Sequence, residues 1–151
     1  MESSLQSKSI IKYAEDNHFP LENIPFGCYE ASPGTLHACT RIGDKFVCLA
    51  DLFEKLKGGP LFSKLSENIF KGPLNTFMGL GNEYRKEARQ SIQNFFMDPA
   101  NAGYADGLKD AAACEGQMVL PCQIGDYTDF YSSKNHAYNI GCLFRGADNA
   151  Y

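Results

Sequence analysis

The densest chemistry in the chain lies in the stretch IGDYTDFYSSKNHAYNIGCLFRG, residues 124 to 146. It holds two carboxylates (Asp126, Asp129), three tyrosines, two serines, a histidine (His136) and an arginine (Arg145). An imidazole accepts protons near neutral pH. An aspartate oxygen is the hard ligand that Ca2+ and Mg2+ take. If a helix opens near Ser132, His136 lies about one turn inside it. At about 1.5 Å rise per residue, Asp129, Tyr131 and His136 can then converge on one cavity. Arg145 stands nine positions past His136, about 180° around an unbroken helix. It joins the others only if the chain turns at Gly141 or beyond. Residue type alone leaves ordinary readings open. Asp129 also suits a helix cap or a solvated charge, and His136 a surface or satisfied core histidine. Tyr127 and Tyr131 also suit packing, and Arg145 suits a surface cation. Asp126, three before Asp129, suits a second ligand or a turn residue, and the turn is the favoured reading. His18 and His37 have no acidic or cysteine partner close by in sequence and read as structural or exposed. Gly79-Leu80-Gly81 is a weak phosphate-loop signal, and no dinucleotide, P-loop, nucleophile-elbow or HExxH motif occurs.

The elements that must position these residues are legible in part. Residues 1 to 18 are polar and read as a loose terminal segment. Ile24 to Tyr29 reads as a first strand, followed by the turn cluster Ala31-Ser32-Pro33-Gly34. Leu36 to Ile42 and Lys45 to Leu49 flank Gly43-Asp44, a pair suited to a two-residue hairpin turn. Asp51 reads as the cap of a short helix from Leu52 to Leu56, stopped by Gly58-Gly59-Pro60. Asn82 to Met97 is the strongest helix, with Tyr84, Ala88, Ile92, Phe95 and Phe96 on one face. Glu83, Arg85, Lys86, Glu87 and Arg89 fall on the other. Residues 99 to 110 read as a linker or weak helix. A second helix is expected from about Ser132 to Phe144, capped by Ser132 or Ser133 and weakened at Gly141.

Composition bounds the function classes. The chain has 151 residues with 44% hydrophobic character, enough to bury roughly 70% of its unfolded surface without staples. Fourteen Lys+Arg against 18 Asp+Glu give a net charge of −4. That balance weighs against a nucleic-acid or anionic-membrane surface, which needs clustered cations. The N-terminus shows no export signal, and no apolar run approaches a membrane span. The expectation is a soluble, cytoplasmic protein. The six cysteines match no zinc-module spacing and read as free thiols, although Cys39 and Cys48 fall on paired strands.

Four blocks carry a resemblance: DNHFPLENIPFG (16 to 27), LNTFMGLGNEYRKEAR (74 to 89), LPCQIGDYTDFYSSKNHAYNIGCLFRG (120 to 146) and ADNA (147 to 150). From about Phe19 to Ala150 the sequence resembles the N-terminal part of the fumarylacetoacetase family. The resemblance implies a mainly β fold with α elements. A small SH3-like barrel domain would span residues 1 to 118, and the truncated start of a catalytic β-roll would span 119 to 151. It implies metal-dependent hydrolysis of a carbon–carbon bond in 4-fumarylacetoacetate, giving fumarate and acetoacetate, the last step of tyrosine and phenylalanine degradation. It makes Asp129 a metal ligand for Ca2+ or Mg2+, His136 the general base, and Tyr131 and Arg145 substrate contacts. It implies a homodimeric parent acting on a small molecule, without nucleic acid or membrane partners. The family's pattern continues past ADNA, so the remaining metal ligands are expected elsewhere and the 151-residue chain is expected to be inactive alone. The competing expectation is a non-catalytic binding module derived from the leading domain. A compact docking of residues 119 to 151 would favour the module. Exposed apolar faces at Phe130, Leu143 and Phe144 would favour the incomplete catalytic domain.

Overall fold

A computed structural model describes residues 5 to 151. The architecture is mixed α/β: a four-stranded antiparallel sheet carries helices that outweigh its short strands. The strands are β1 (Gly27–Ser32), β2 (Thr35–Ile42), β3 (Lys45–Cys48) and β4 (Met118–Val119), in the order β3-β2-β1-β4. The helices are α1 (Leu5–Lys8), α2 (Leu49–Leu52), α3 (Asn75–Gly79), α4 (Asn82–Met97), α5 (Ala102–Asp106) and α6 (Lys134–Arg145). Among the described residues, no helix is long and apolar enough to cross a membrane.

The β2–β3 hairpin forms as its sequence directs. Ile42 pairs with Lys45 across Gly43-Asp44, and Gly43 adopts φ 56°. That left-handed value is what the first position of a two-residue hairpin turn asks of glycine. Gly43 also carries the Tyr13 ring against its backbone. A Cβ there would lie 2.8 Å from the Cβ of Tyr13.

Alternation along β2 divides the sheet into two faces. Ala38, Thr40 and Ile42, with Cys28 of β1 and Val47 of β3, are buried against the main core. That core joins Leu21, Ile24, Leu52 and Phe70 to Ala88, Ile92, Phe95 and Phe96 of α4. Its aromatic rings meet edge-on or tilted, as in Phe70–Phe77 (5.1 Å) and Phe95–Phe96 (5.2 Å). On the opposite face stand Tyr29, His37, Cys39, Phe46 and Cys48, set there by the cross-strand pairs Tyr29–His37 and Cys39–Cys48.

The β3 side of the sheet is covered along its length. Residues 109 to 111 close the outer edge of β3, through Phe46 N to the Lys109 carbonyl (2.9 Å) and Ala111 N to the Asp44 carbonyl (2.8 Å). Beyond the end of β3, residues 70 and 71 take the edge of β2, with Ala38 N donating to the Phe70 carbonyl at 2.8 Å.

Three sequence expectations change. Residues 1 to 18 read as loose, and residues 1 to 4 lie outside the described residues. From Leu5 onward, however, the segment is tied to the body: Ser9 and Ile11 are buried, and Ile10 N donates to the Phe96 carbonyl at 2.9 Å. The first strand begins at Gly27 rather than Ile24, because Ile24 (φ 37°) is turned inward as a fully buried core residue. Asp51 does not cap α2. The helix opens after Cys48 and puts Asp51 in its first turn, and a 3-10 turn, Phe53–Lys55, completes it.

Candidate functional site

After β4 the chain is fastened to α3 and then leaves regular structure. Leu74 N donates to the Pro121 carbonyl (2.8 Å), and the Asn75 amide group exchanges two hydrogen bonds with Gln123 (2.8 and 2.9 Å). Residues 124 to 131 then run without helix or strand to Ser133, the N-cap of α6. The Ser133 hydroxyl accepts from His136 N at 3.4 Å, the cap bond that the Ser-Ser pair foretells.

This start fixes His136 on the first turn of α6, where it meets Asp129. The Asp129 Oδ2 and His136 Nε2 atoms lie 2.5 Å apart. Asp129 Oδ1 accepts from Tyr131 N at 3.1 Å, and the Tyr127 hydroxyl donates to Oδ2 at 3.4 Å. The Tyr131 N–H, followed by the His136 imidazole, holds the Asp129 carboxyl below its ordinary value of 3.8. Tyr131 sits at φ 52°, a region costly to a bulky side chain. Its ring stacks on the imidazole, with centroids 5.3 Å apart and planes 28° from parallel. Asp129, Tyr131 and His136 therefore form one constellation, as their spacing allows.

Arg145 stands apart from that constellation. The helix runs unbroken through Gly141, so Arg145 leaves on the side away from His136. Its Nε donates to the Asn149 carbonyl (3.0 Å) and its Nη2 to the Ala150 carbonyl (2.8 Å). Gly141 does not break the helix. It lets the following turn, Ala147–Asn149, close over it, since a Cβ at 141 would fall on the Ala150 carbonyl. Tyr131 and Arg145 do share the wall of an open cavity of about 360 Å³, floored by Ala137, Gly141 and Phe144.

Asp129 offers a hard oxygen suited to Ca2+ or Mg2+, but such ions take about six or more oxygens. Among the described residues, no group of three metal-ligating side chains includes Asp129. These residues alone do not build that site. The group that does assemble was missed by the sequence reading: His37, Cys48 and Asp51, on the outer sheet face and α2. His37 has acid and thiol partners after all. They are remote in sequence and brought close by the cross-strand register, and only the hairpin signal could have found them. All six cysteines are free thiols.

Comparison with known proteins gives the family. Residues 22 to 123 match the family described as Fumarylacetoacetase N-terminal. The chain belongs to the fumarylacetoacetase family. Curated relatives named fumarylacetoacetase include one from Dictyostelium discoideum, 42% identical across 95% of the chain and 34% of the relative. One from Mus musculus is 40% identical across 94% of the chain and 35% of its own length. One from Arabidopsis thaliana is 34% identical across 95% of the chain and 35% of its own length. The chain spans about a third of the length of the curated relatives it matches. Within the fumarylacetoacetase family, then, the Asp129–His136 constellation lies just beyond the residues matched by the N-terminal family description.

Proposed function

We propose that the chain supplies the leading domain and the opening catalytic segment of a fumarylacetoacetase, a hydrolase that cleaves a carbon–carbon bond of 4-fumarylacetoacetate. Residues 1 to 118 would form the SH3-like leading barrel, and 119 to 151 the start of the catalytic β-roll. The observation that carries this reading is the convergence of Asp129, Tyr131 and His136. The exposure of Phe130 (84%), Leu143 (78%) and Phe144 (82%) supports it further, since a finished domain covers side chains of this kind. The working protein would be a cytoplasmic homodimer.

In this reading the His136 imidazole takes a proton from water. With Nε2 held on Asp129 Oδ2, Nδ1 is the nitrogen that accepts it, and the carboxylate stabilises the imidazolium that results. The hydroxide adds to the ketone, the carbon–carbon bond breaks, and the departing carbon is protonated to give acetoacetate. Asp129 would be one ligand of a Ca2+ or Mg2+ ion, which when bound disperses enolate charge as a Lewis acid. Tyr131 and Arg145, on the shared cavity wall, would hold the substrate.

Among the described residues, Asp129 belongs to no group of three metal-ligating side chains. The 151-residue chain should show no fumarylacetoacetate hydrolysis and no tight Ca2+ binding by calorimetry, and turnover with added metal would overturn that ligand count. Grafting residues 1 to 151 in place of the matching part of the Dictyostelium relative should give an active enzyme. In that chimera His136→Ala should lower kcat about 100-fold or more while Ca2+ binding persists. Loss of Ca2+ together with activity would show that His136 holds the metal instead.

A further inference from the structure

The outer face of the sheet carries a second cluster of reactive side chains, remote in sequence from Asp129. His37 is half-buried, Cys48 is 8% exposed and Asp51 is open to solvent. One donor atom from each lies within 4.8 Å of the other two. His37 Nδ1 and Cys48 Sγ are 3.7 Å apart. An ion held tetrahedrally at about 2.3 Å from sulfur and about 2.0 Å from nitrogen keeps those atoms roughly 3.5 Å apart. The pair is thus already set at a metal-binding separation, and the short, exposed Asp51 side chain needs only to close on it.

The framework is rigid where a site needs rigidity. Cys39–Cys48 and Tyr29–His37 are register pairs of the sheet. The Tyr29 ring meets Phe46 edge-on at 4.8 Å and His37 edge-on at 6.2 Å. Cys48 and Asp51 open onto a cavity of about 400 Å³, walled by Tyr29, Tyr104, Lys109 and Gln117. That leaves a fourth coordination direction free for water or a small ligand.

We propose that His37, Cys48 and Asp51 form a divalent-metal site of their own, taking a borderline ion of the Zn2+ type in preference to Ca2+ or Mg2+. The choice of ion follows from the donors. One thiolate, one imidazole and one carboxylate suit zinc, whereas Ca2+ and Mg2+ prefer all-oxygen surroundings. Three protein ligands with an open fourth position is the arrangement of a reactive or ligand-exchanging zinc site rather than a closed structural one. An ordinary thiol holds its proton at neutral pH. Binding therefore breaks the S–H bond, forms the S–metal bond and passes one proton to the buffer. The site does not depend on the role given to Asp129.

The test uses the 151-residue chain, stripped with a chelator and titrated with Zn2+ by calorimetry in two buffers of different ionisation enthalpy. One equivalent should bind with release of about one proton. Titration with Co2+ should produce a thiolate-to-metal charge-transfer band and intense tetrahedral d–d absorption. Cys48→Ser should abolish the charge-transfer band and weaken Zn2+ by well over tenfold, since even removal of an outer partner costs about that much. Asp51→Asn lies at an exposed position, so folding tolerates it, and it should weaken Zn2+ by at least about tenfold. Cys39→Ser and Asp129→Asn should change neither result. Absence of a saturable equivalent in the wild-type chain would overturn the proposal. So would Zn2+ affinity unchanged in Asp51→Asn, or a charge-transfer band lost in Cys39→Ser but kept in Cys48→Ser. Ca2+ competing with Zn2+ at equal concentration would also overturn it.

Discussion

Ile24 (φ 37°) and Tyr131 (φ 52°) are the two non-glycine residues at positive φ among those described, and Tyr131 is braced by the Asp129 carboxylate and the His136 ring. For Ile24 the clamp is Arg89. Its guanidinium donates to the carbonyls of Glu22 (2.7 Å), Asn23 (2.8 Å) and Ile24 (3.0 Å). Amphipathic spacing puts Arg89 on the solvent side of α4, yet the residue works as an anchor for the turn beneath it. Arg89→Lys keeps the charge and loses the fork. It should destabilise the protein by about 2 kcal/mol, the scale of lost charge-assisted bonds to carbonyls, read as a lower urea midpoint with unchanged slope. Gly141 poses the opposite case, because alanine is the better helix former by about 1 kcal/mol. Its Cβ would fall on the Ala150 carbonyl, so the turn over the helix must shift. Gly141→Ala should therefore leave the helical circular dichroism of α6 intact while freeing residues 147 to 151. Hydrogen exchange would show this as lost protection at Asn149, which donates to the Gly146 carbonyl. Protection unchanged there would mean that the helix and turn part without cost.

At the scale of elements, the sequence is most readable where one local rule decides the outcome. α4 spans the residues its apolar period marks, the hairpin turns at Gly43-Asp44, and Ser133 caps α6. Where a distant partner decides, local signals mislead. The polar segment 5 to 13 carries only Ile10, Ile11 and Tyr13 as apolar anchors past its first residue, yet Tyr13 packs on Gly43 and its hydroxyl accepts from Leu21 N at 2.9 Å. Asp51 and His37 are unremarkable in sequence and become neighbours only through pairing of β2 with β3. The candidate active site divides the same way. Asp129, Tyr131 and His136 sit within one helical turn of a cap and are legible. The orientation of Arg145 depends on whether Gly141 ends the helix, which composition does not fix. β2 also holds one inconsistency. Thr40 is 3% exposed on the core face, and its hydroxyl has no hydrogen-bond partner among the described residues. Thr40→Val keeps the branched shape and removes the unpaired hydroxyl. It should raise stability by about 1 kcal/mol. A lower melting temperature in the variant would show that the hydroxyl is satisfied after all.

At the scale of the whole molecule, the titratable groups that burial perturbs are gathered on and around the sheet, and they make the fold sensitive to alkali rather than to acid. Burial pushes the Cys39 thiol from 9.0 up to about 12 and the Tyr104 phenol from 10.0 up to about 12. It also raises the Cys28 and Cys48 thiols and the Tyr29 phenol. In every case the neutral form is favoured by the folded state, because an anion there would lie out of water. The sign follows from linkage. Below about pH 9 both states hold these protons, and the contribution to stability is fully present. Above that, the unfolded chain releases protons that the folded chain still keeps, so stability falls as pH rises towards about 12. The urea midpoint should decline steadily across that window. Cys39→Ala removes a thiol that burial pushes from 9.0 up to about 12, so it should flatten the decline. In segment 124 to 151 the Tyr138 phenol is raised as well, chiefly by the neighbouring Cys142 thiol rather than by burial. A midpoint independent of pH between about 9 and 11 would mean that these thiols and phenols ionise as readily in the folded sheet as in water, and that the sheet's outer face is wetter than its packing implies.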